Sequence, residues 1–113
     1  MIRVLHVIGA MDRGGAESMI MNFYRKIDRT KYSFDFLVHE DRECDFDKEI
    51  KSLGGNIYRV PRYKIYNYSH YKKEIKKFFE QHHDYDIVHG HICSCINIYS
   101  SIAKKYGIKT IAH

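Results

Sequence analysis

Residues 3–17 read Arg-Val-Leu-His-Val-Ile-Gly-Ala-Met-Asp-Arg-Gly-Gly-Ala-Glu. The apolar run at residues 4–8 has the length and composition of a buried strand; a polar turn follows, then Gly14 and Gly15, and a helical pattern starts near Ala16. Strand, glycine loop and helix start together make a place for an anion. The first amides of a helix are unpaired and carry partial positive charge, and a glycine pair lets a phosphate approach with no Cβ in the way. Two known spellings of such a loop do not fit. Gly9 and Gly14 have the spacing of GxxxxGK[ST], but Gly15 and Ala16 stand where a lysine and a hydroxyl are required. GxGxxG is absent, because the glycines fall at 9, 14 and 15. Nucleoside triphosphate hydrolysis and NAD binding both lose support, and an ordinary tight turn stays open as the plainer reading.

Outward from this stretch the chain alternates. The spacing of Met19, Ile20, Phe23, Tyr24 and Ile27 predicts a helix over 16–27, and residues 32–39 form a second strand rich in aromatics. A helix over 46–53 closes at Gly54-Gly55, a strand at 57–60 stops at Pro61, and a helix spans 68–81. A strand at 86–91, a helix at 96–106 ended by Gly107, and a strand at 108–112 complete the series. Strands alternating with helices give an α/β fold, a Rossmann-like parallel sheet with helices on both faces. Ligands of such sheets collect beyond the carboxyl ends of the strands. That rule selects Asp12, Arg13, Gly14 and Gly15 after the first strand, His89 and His91 at the fourth, and His113 at the fifth. A histidine there can handle protons or bond sugar hydroxyls near neutral pH; His6 and His39, inside strands, read as structural.

Several motifs, taken in order, carry a resemblance. Arg-Val-Leu-His-Val-Ile, Gly-Gly-Ala-Glu-Ser, Phe-Asp-Phe-Leu-Val-His from Phe34, Asp-Ile-Val-His-Gly-His from Asp86 and Lys-Thr-Ile-Ala-His at 109–113 resemble the N-terminal domain of family 4 retaining glycosyltransferases of the GT-B fold, of the type that builds bacterial cell-surface polysaccharides. The resemblance implies that residues 1–113 are the acceptor-side half of a larger enzyme, truncated before a C-terminal donor-binding domain that carries a glutamate pair. It implies a nucleotide-sugar donor and a saccharide or lipid-linked acceptor as partners. Gly14 and Gly15 would lie against the donor diphosphate and the acceptor, and His113 would contact the reacting sugar. Arg13 and His91 join them as substrate-binding candidates, with His113 the catalytic one. No cofactor is expected.

Charge and cysteine content bound the remaining classes. The 113 residues carry a net charge of +5, and residues 59–80 alone hold Arg59, Arg62, Lys64, Lys72, Lys73, Lys76 and Lys77 against Glu74 and Glu80. Tyrosines 63, 66, 68 and 71 are interleaved with them. A basic amphipathic helix of this kind can lie on an anionic membrane surface through Lys72, Lys73, Lys76 and Lys77, or pack its apolar stripe on the sheet and leave the lysines in water. No nucleic-acid motif accompanies the patch, so nucleic acid is not expected as a partner. With no signal peptide and no membrane-spanning run, the expected location is the cytoplasm, peripheral to the membrane if the lysines dock. Three cysteines fit a reducing compartment. The run His89, His91, Cys93, Cys95 invites a metal reading, which its spacing disfavours, since alternate residues in one short stretch rarely surround a tetrahedral ion. No metal is expected.

Overall fold

The computed structural model describes residues 1–12, 14–92 and 94–112. Strands β1 (Ile2–Ile8), β2 (Tyr32–Val38), β3 (Ile57–Arg59), β4 (Ile87–Gly90) and β5 (Lys109–Ala112) alternate with helices α1 (Gly15–Lys26), α2 (Asp47–Ser52), α3 (Tyr68–Gln81) and α4 (Ile96–Lys105). All five strands are parallel, in the order β3-β2-β1-β4-β5. β1 begins two residues earlier than its apolar run suggests, because Ile2 and Arg3 pair with Tyr32 and Ser33 even though Ile2 is exposed.

Strand order reverses direction between β1 and β4. Right-handed crossovers therefore place α1 and α2 on one face and α3 and α4 on the other. Side chains alternate accordingly along β1. Leu5 and Val7 join Tyr71, Ile75, Phe78, Phe79, Tyr99 and Ile102 in one core; Val4 and Ile8 join Ile20, Met21, Tyr24, Phe34, Phe36 and Ile50 in the other. Central strands covered on both faces need near-continuous apolar sequence, which residues 4–8 supply.

Helices α2 and α4 end where Gly54 and Gly107 take positive φ, 93° and 75°, a conformation open to glycine at little cost. A short 3-10 turn, Ile65–Asn67, precedes α3 and has no counterpart in the sequence reading. Asn67 builds it: its Oδ1 accepts from the Lys64 amide at 2.7 Å and its Nδ2 donates to the Arg62 carbonyl at 2.8 Å. Such side-chain bonds to nearby backbone need no hydrophobic period to announce them.

Candidate functional site

Strand order decides where a ligand can sit. The point at which connections diverge to opposite faces leaves a crevice beyond the carboxyl ends of the two strands concerned, here β1 and β4. A cavity of 300 Å³ occupies that position, lined by Gly9 and Ala10 after β1, His39 after β2, Arg62 and Tyr63, and Ile92, Ser94 and Cys95 after β4. Next to it, 480 Å³ is enclosed by His39, Glu40, Asp41, Arg59, Val60, Pro61 and Arg62.

Among the described residues the rim arginines are already paired. Arg62 donates to Glu40 at 2.6 Å, Arg59 to Asp47 at 2.9 Å and to the Arg42 carbonyl at 2.8 Å, and Arg42 pairs with Asp12. Asp12 also accepts from the Asp45 amide at 3.2 Å, so the loop after β1 is tied to the loop after β2. The Arg42 hydrogen bond is the main reason the Asp12 carboxyl is held below its ordinary pKa. Arg62, whose side chain is 67% exposed against 53% for Arg42 and 32% for Arg59, is the one of these three with most freedom to exchange its partner for an anionic ligand.

The two loop glycines differ. Gly14 is the N-cap of α1 in extended conformation, φ −94° and ψ 177°, and Gly15 is the first helical residue. Neither has positive φ, so backbone strain does not explain them. The carboxylate of Glu17 fills the space that a Gly14 Cβ would take, whereas a Cβ on Gly15 would meet nothing within 4 Å. An acidic group near a helix start satisfies the partial positive charge there. An incoming anion must therefore move Glu17 to reach Gly14, while Gly15 is open. Arg13 and His113, the other residues selected at this rim from sequence, lie outside the described residues.

His91 belongs elsewhere. Its side chain lines a 460 Å³ groove on the α1 face, together with His6, His89, Ile2, Val4, Met19, Ile20, Phe23, Tyr32, Phe34, Ile87 and Ile111. The register pairs His6 with His89 across β1 and β4, and His91 follows two residues on, so three imidazoles share one face. His6 Nδ1 lies 3.2 Å from His91 Nε2, and the rings of His89 and His91 are 4.2 Å apart. The His6 ring packs on Phe34 and Phe36, with centroids at 4.5 and 5.3 Å, and is 4% exposed. Burial, then His91 and His89, lowers its pKa to about 3, which leaves it neutral at physiological pH. This trio is hard to see in sequence, since His6 and His91 are 85 residues apart. Cys95 turns to the opposite face, where its Sγ lies 3.2 Å from the Tyr71 hydroxyl; Cys93 lies outside the described residues.

The apolar stripe of α3, Tyr71, Ile75, Phe78 and Phe79, is consumed in the core. Lys73, Lys76 and Lys77 are exposed and Lys72 is half-buried, with its ammonium 5.8 Å from the Tyr68 ring. The stripe is therefore packed on the sheet, and the lysines lie outside it. Among the described residues no helix is long and apolar enough to cross a membrane.

No protein-family model matches the chain. A Bacillus subtilis (strain 168) protein named as the glycosyltransferase EpsF is 42% identical over 89 residues, 79% of this chain and 23% of that protein. The capsular polysaccharide biosynthesis glycosyltransferase CapH of Staphylococcus aureus is 30% identical over 92 residues, 81% of this chain and 24% of that protein. The chain thus spans about a quarter of the length of the curated relatives it matches. Among solved structures, MurG of Acinetobacter baumannii superposes over 100% of the chain and 35% of its own length, with a TM-score of 0.68 at 12% identity. The C-terminal domain of the PF1911 hydrogenase from Pyrococcus furiosus superposes almost as well, TM-score 0.67 at 13% identity, over 99% of this chain and 91% of that domain. The fold by itself is therefore shared beyond one enzyme class. It is at the level of sequence that the chain is similar to glycosyltransferases, as a Rossmann-like segment matching about a quarter of their length.

Proposed function

We propose that this chain is the N-terminal, acceptor-side domain of a retaining family 4 glycosyltransferase, which moves a sugar from a nucleotide diphosphate donor to a saccharide or lipid-linked acceptor in cell-surface polysaccharide synthesis. The observation that carries this reading is the 42% identity over 79% of the chain to the B. subtilis glycosyltransferase. The crevice between β1 and β4, with exchangeable Arg62 on its rim, supports it physically, as does the open start of α1 at Gly15 in the segment after β1: together they offer a guanidinium and backbone amides to an anionic diphosphate. In this reading Gly14, Gly15 and Arg13 face the diphosphate, His113 contacts the reacting sugar, and leaving-group stabilisation comes from a second domain. The 113 residues alone then do not turn over, because charge developing on the departing diphosphate finds too few donors.

A chimera tests it: this chain replaces the matching segment of the B. subtilis relative, and sugar transfer is assayed with nucleotide-sugar donors. Retained transfer is expected, together with none from the 113 residues alone. A folded chimera without activity, or an isolated chain as fast as the chimera, overturns the reading. Gly15→Val in the active chimera should weaken donor use by about tenfold or more, since a branched side chain would enter the space open above Gly15.

Peripheral attachment to the cytoplasmic leaflet is the finer part of the proposal. Ile65 and Tyr66 are 87% and 84% exposed in the turn before α3, with Arg62, Lys64 and Lys72 nearby in sequence. An apolar tip beside cations suits an anionic interface, where each lysine near the surface adds on the order of 1 kcal/mol.

A further inference from the structure

The groove histidines take no part in the reading above, and their arrangement has its own chemistry. One ligand atom from each of His6, His89 and His91 lies within 4.8 Å of the others. Two nitrogens bound to a tetrahedral zinc at ~2.0–2.1 Å stand about 3.3 Å apart; His6 Nδ1 and His91 Nε2 are at 3.2 Å.

The scaffold is rigid. His6 and His89 are opposed across neighbouring parallel strands, and the His6 ring is wedged against Phe34 and Phe36. The donor set is selective as well. Among the described residues no carboxylate lines the groove, and three imidazoles suit a hard cation such as magnesium poorly and a borderline one such as zinc well. Three protein ligands leave a fourth position, and it opens into 460 Å³ of groove rather than into packed core. Sites of that kind hold water or an added ligand in the fourth place.

We infer that His6, His89 and His91 form a three-histidine site for a zinc-class divalent cation, with its open position facing the apolar groove. Its ligands come from β1 and from β4 with the residue just after it, not from the His-x-His-x-Cys-x-Cys run, whose Cys95 is engaged on the far side of the sheet. The inference rests on this geometry and not on the transfer reaction.

Cobalt(II), a spectroscopic stand-in for zinc, tests it on the 113-residue chain. Titration should give the visible absorption of a tetrahedral site saturating at one equivalent, lost on adding zinc. His89→Ala and His91→Ala, at half-buried positions, should each weaken cobalt binding at least tenfold with an unchanged far-ultraviolet circular dichroism spectrum. Cys95→Ser and the double variant His82→Ala, His83→Ala should bind as the parent does. No absorption at stoichiometric cobalt overturns the site. So does binding that survives both groove variants or disappears with His82 and His83, since the ion would then sit on other histidines.

Discussion

Two histidines, on opposite faces of one sheet, are buried to the same degree and treated differently. His39 is 3% exposed and His6 is 4% exposed. On the α3 face the Ile8 carbonyl, 3.1 Å away, can only accept, so Nδ1 of His39 carries the proton; with the ring neutral, Nε2 accepts from the Tyr71 hydroxyl at 2.7 Å. Both nitrogens are used. On the α1 face His6 spends one nitrogen on another histidine and leaves the other without a partner among the described residues. The contrast follows from how far each face is covered. Helices α3 and α4 cover their face as one core, while on the other face a groove stays open between α1 and residues of β1, β2, β4 and β5. A polar group inside a closed core has to be satisfied for the fold to stand, as both nitrogens of His39 are; on the other face the Nδ1 of His6 is turned to the neighbouring histidine.

The largest effect that could break this comparison is on packing. Phe79, fully buried in the closed face, should cost about 3–5 kcal/mol when changed to Ala. Phe23, 62% exposed at the groove, should cost under about 1 kcal/mol in the same change. Urea denaturation of the two variants measures both, and equal losses would mean that the groove is as well covered as the core.

Next comes the polar centre of the closed face. Buried Asp35 accepts from Tyr85 at 2.6 Å, Arg3 at 3.0 Å and the Asn56 amide at 3.0 Å. Burial first, then the bond to Asp35, pushes the Tyr85 hydroxyl well above its ordinary pKa. Asp35→Ala removes the acceptor of these donors, leaving the buried Tyr85 hydroxyl without one while Arg3 keeps Asp84, and should cost about 2–4 kcal/mol. A loss near zero in the same denaturation experiment would show that water reaches them.

A pH series sharpens the contrast further. Burial lowers the pKa of His39 below the ordinary 6.5, partly offset by the bond to the Ile8 carbonyl. Below pH 6.5 the unfolded chain takes up this proton before the native one does. The stability from neutral His39 is therefore complete above about pH 6.5 and declines as pH falls toward the native pKa, by at most about 1.4 kcal/mol per pH unit. His39→Asn, though less stable at pH 7.5, should show a shallower decline between pH 7 and 5.5 in urea midpoints. Parallel profiles would exclude His39 as a source of the slope.

The smallest effect on stability belongs to the lysines of α3. Replacing Lys72, Lys73, Lys76 and Lys77 with Gln should leave the urea midpoint within about 0.5 kcal/mol of the parent, yet abolish sedimentation with anionic vesicles at low salt. Unchanged vesicle binding would assign the membrane contact to other residues; a large loss of stability would mean that the lysines support the packing of α3.

Much of the fold was legible because its signals are local. Runs such as residues 4–8, the helical spacing of Tyr71, Ile75, Phe78 and Phe79, and Gly54 and Gly107 at helix ends each report on a few neighbouring residues. The turn at Ile65–Asn67 was not legible, since it depends on one asparagine bonding backbone on both sides. At the candidate site, the rim was reached from the rule on strand ends; that Gly15 is open and Gly14 is filled by Glu17 could not be read there. Arg62, Glu40 and His39 were not singled out for the rim, because their convergence with Gly9 and Ser94 follows from strand order. His91 was selected for the rim and lines the groove instead.

Residue order alone therefore settles which segments are strands and helices, how they alternate, and that the sheet must be covered on both faces, because each of these follows from apolar spacing over a few turns or strand positions. Which histidines meet, which glycine of a pair is open and which face keeps a groove are settled only by the register of β1 against β4 and by the uneven cover of the helices. Those are contacts between residues tens of positions apart, and no local pattern encodes them.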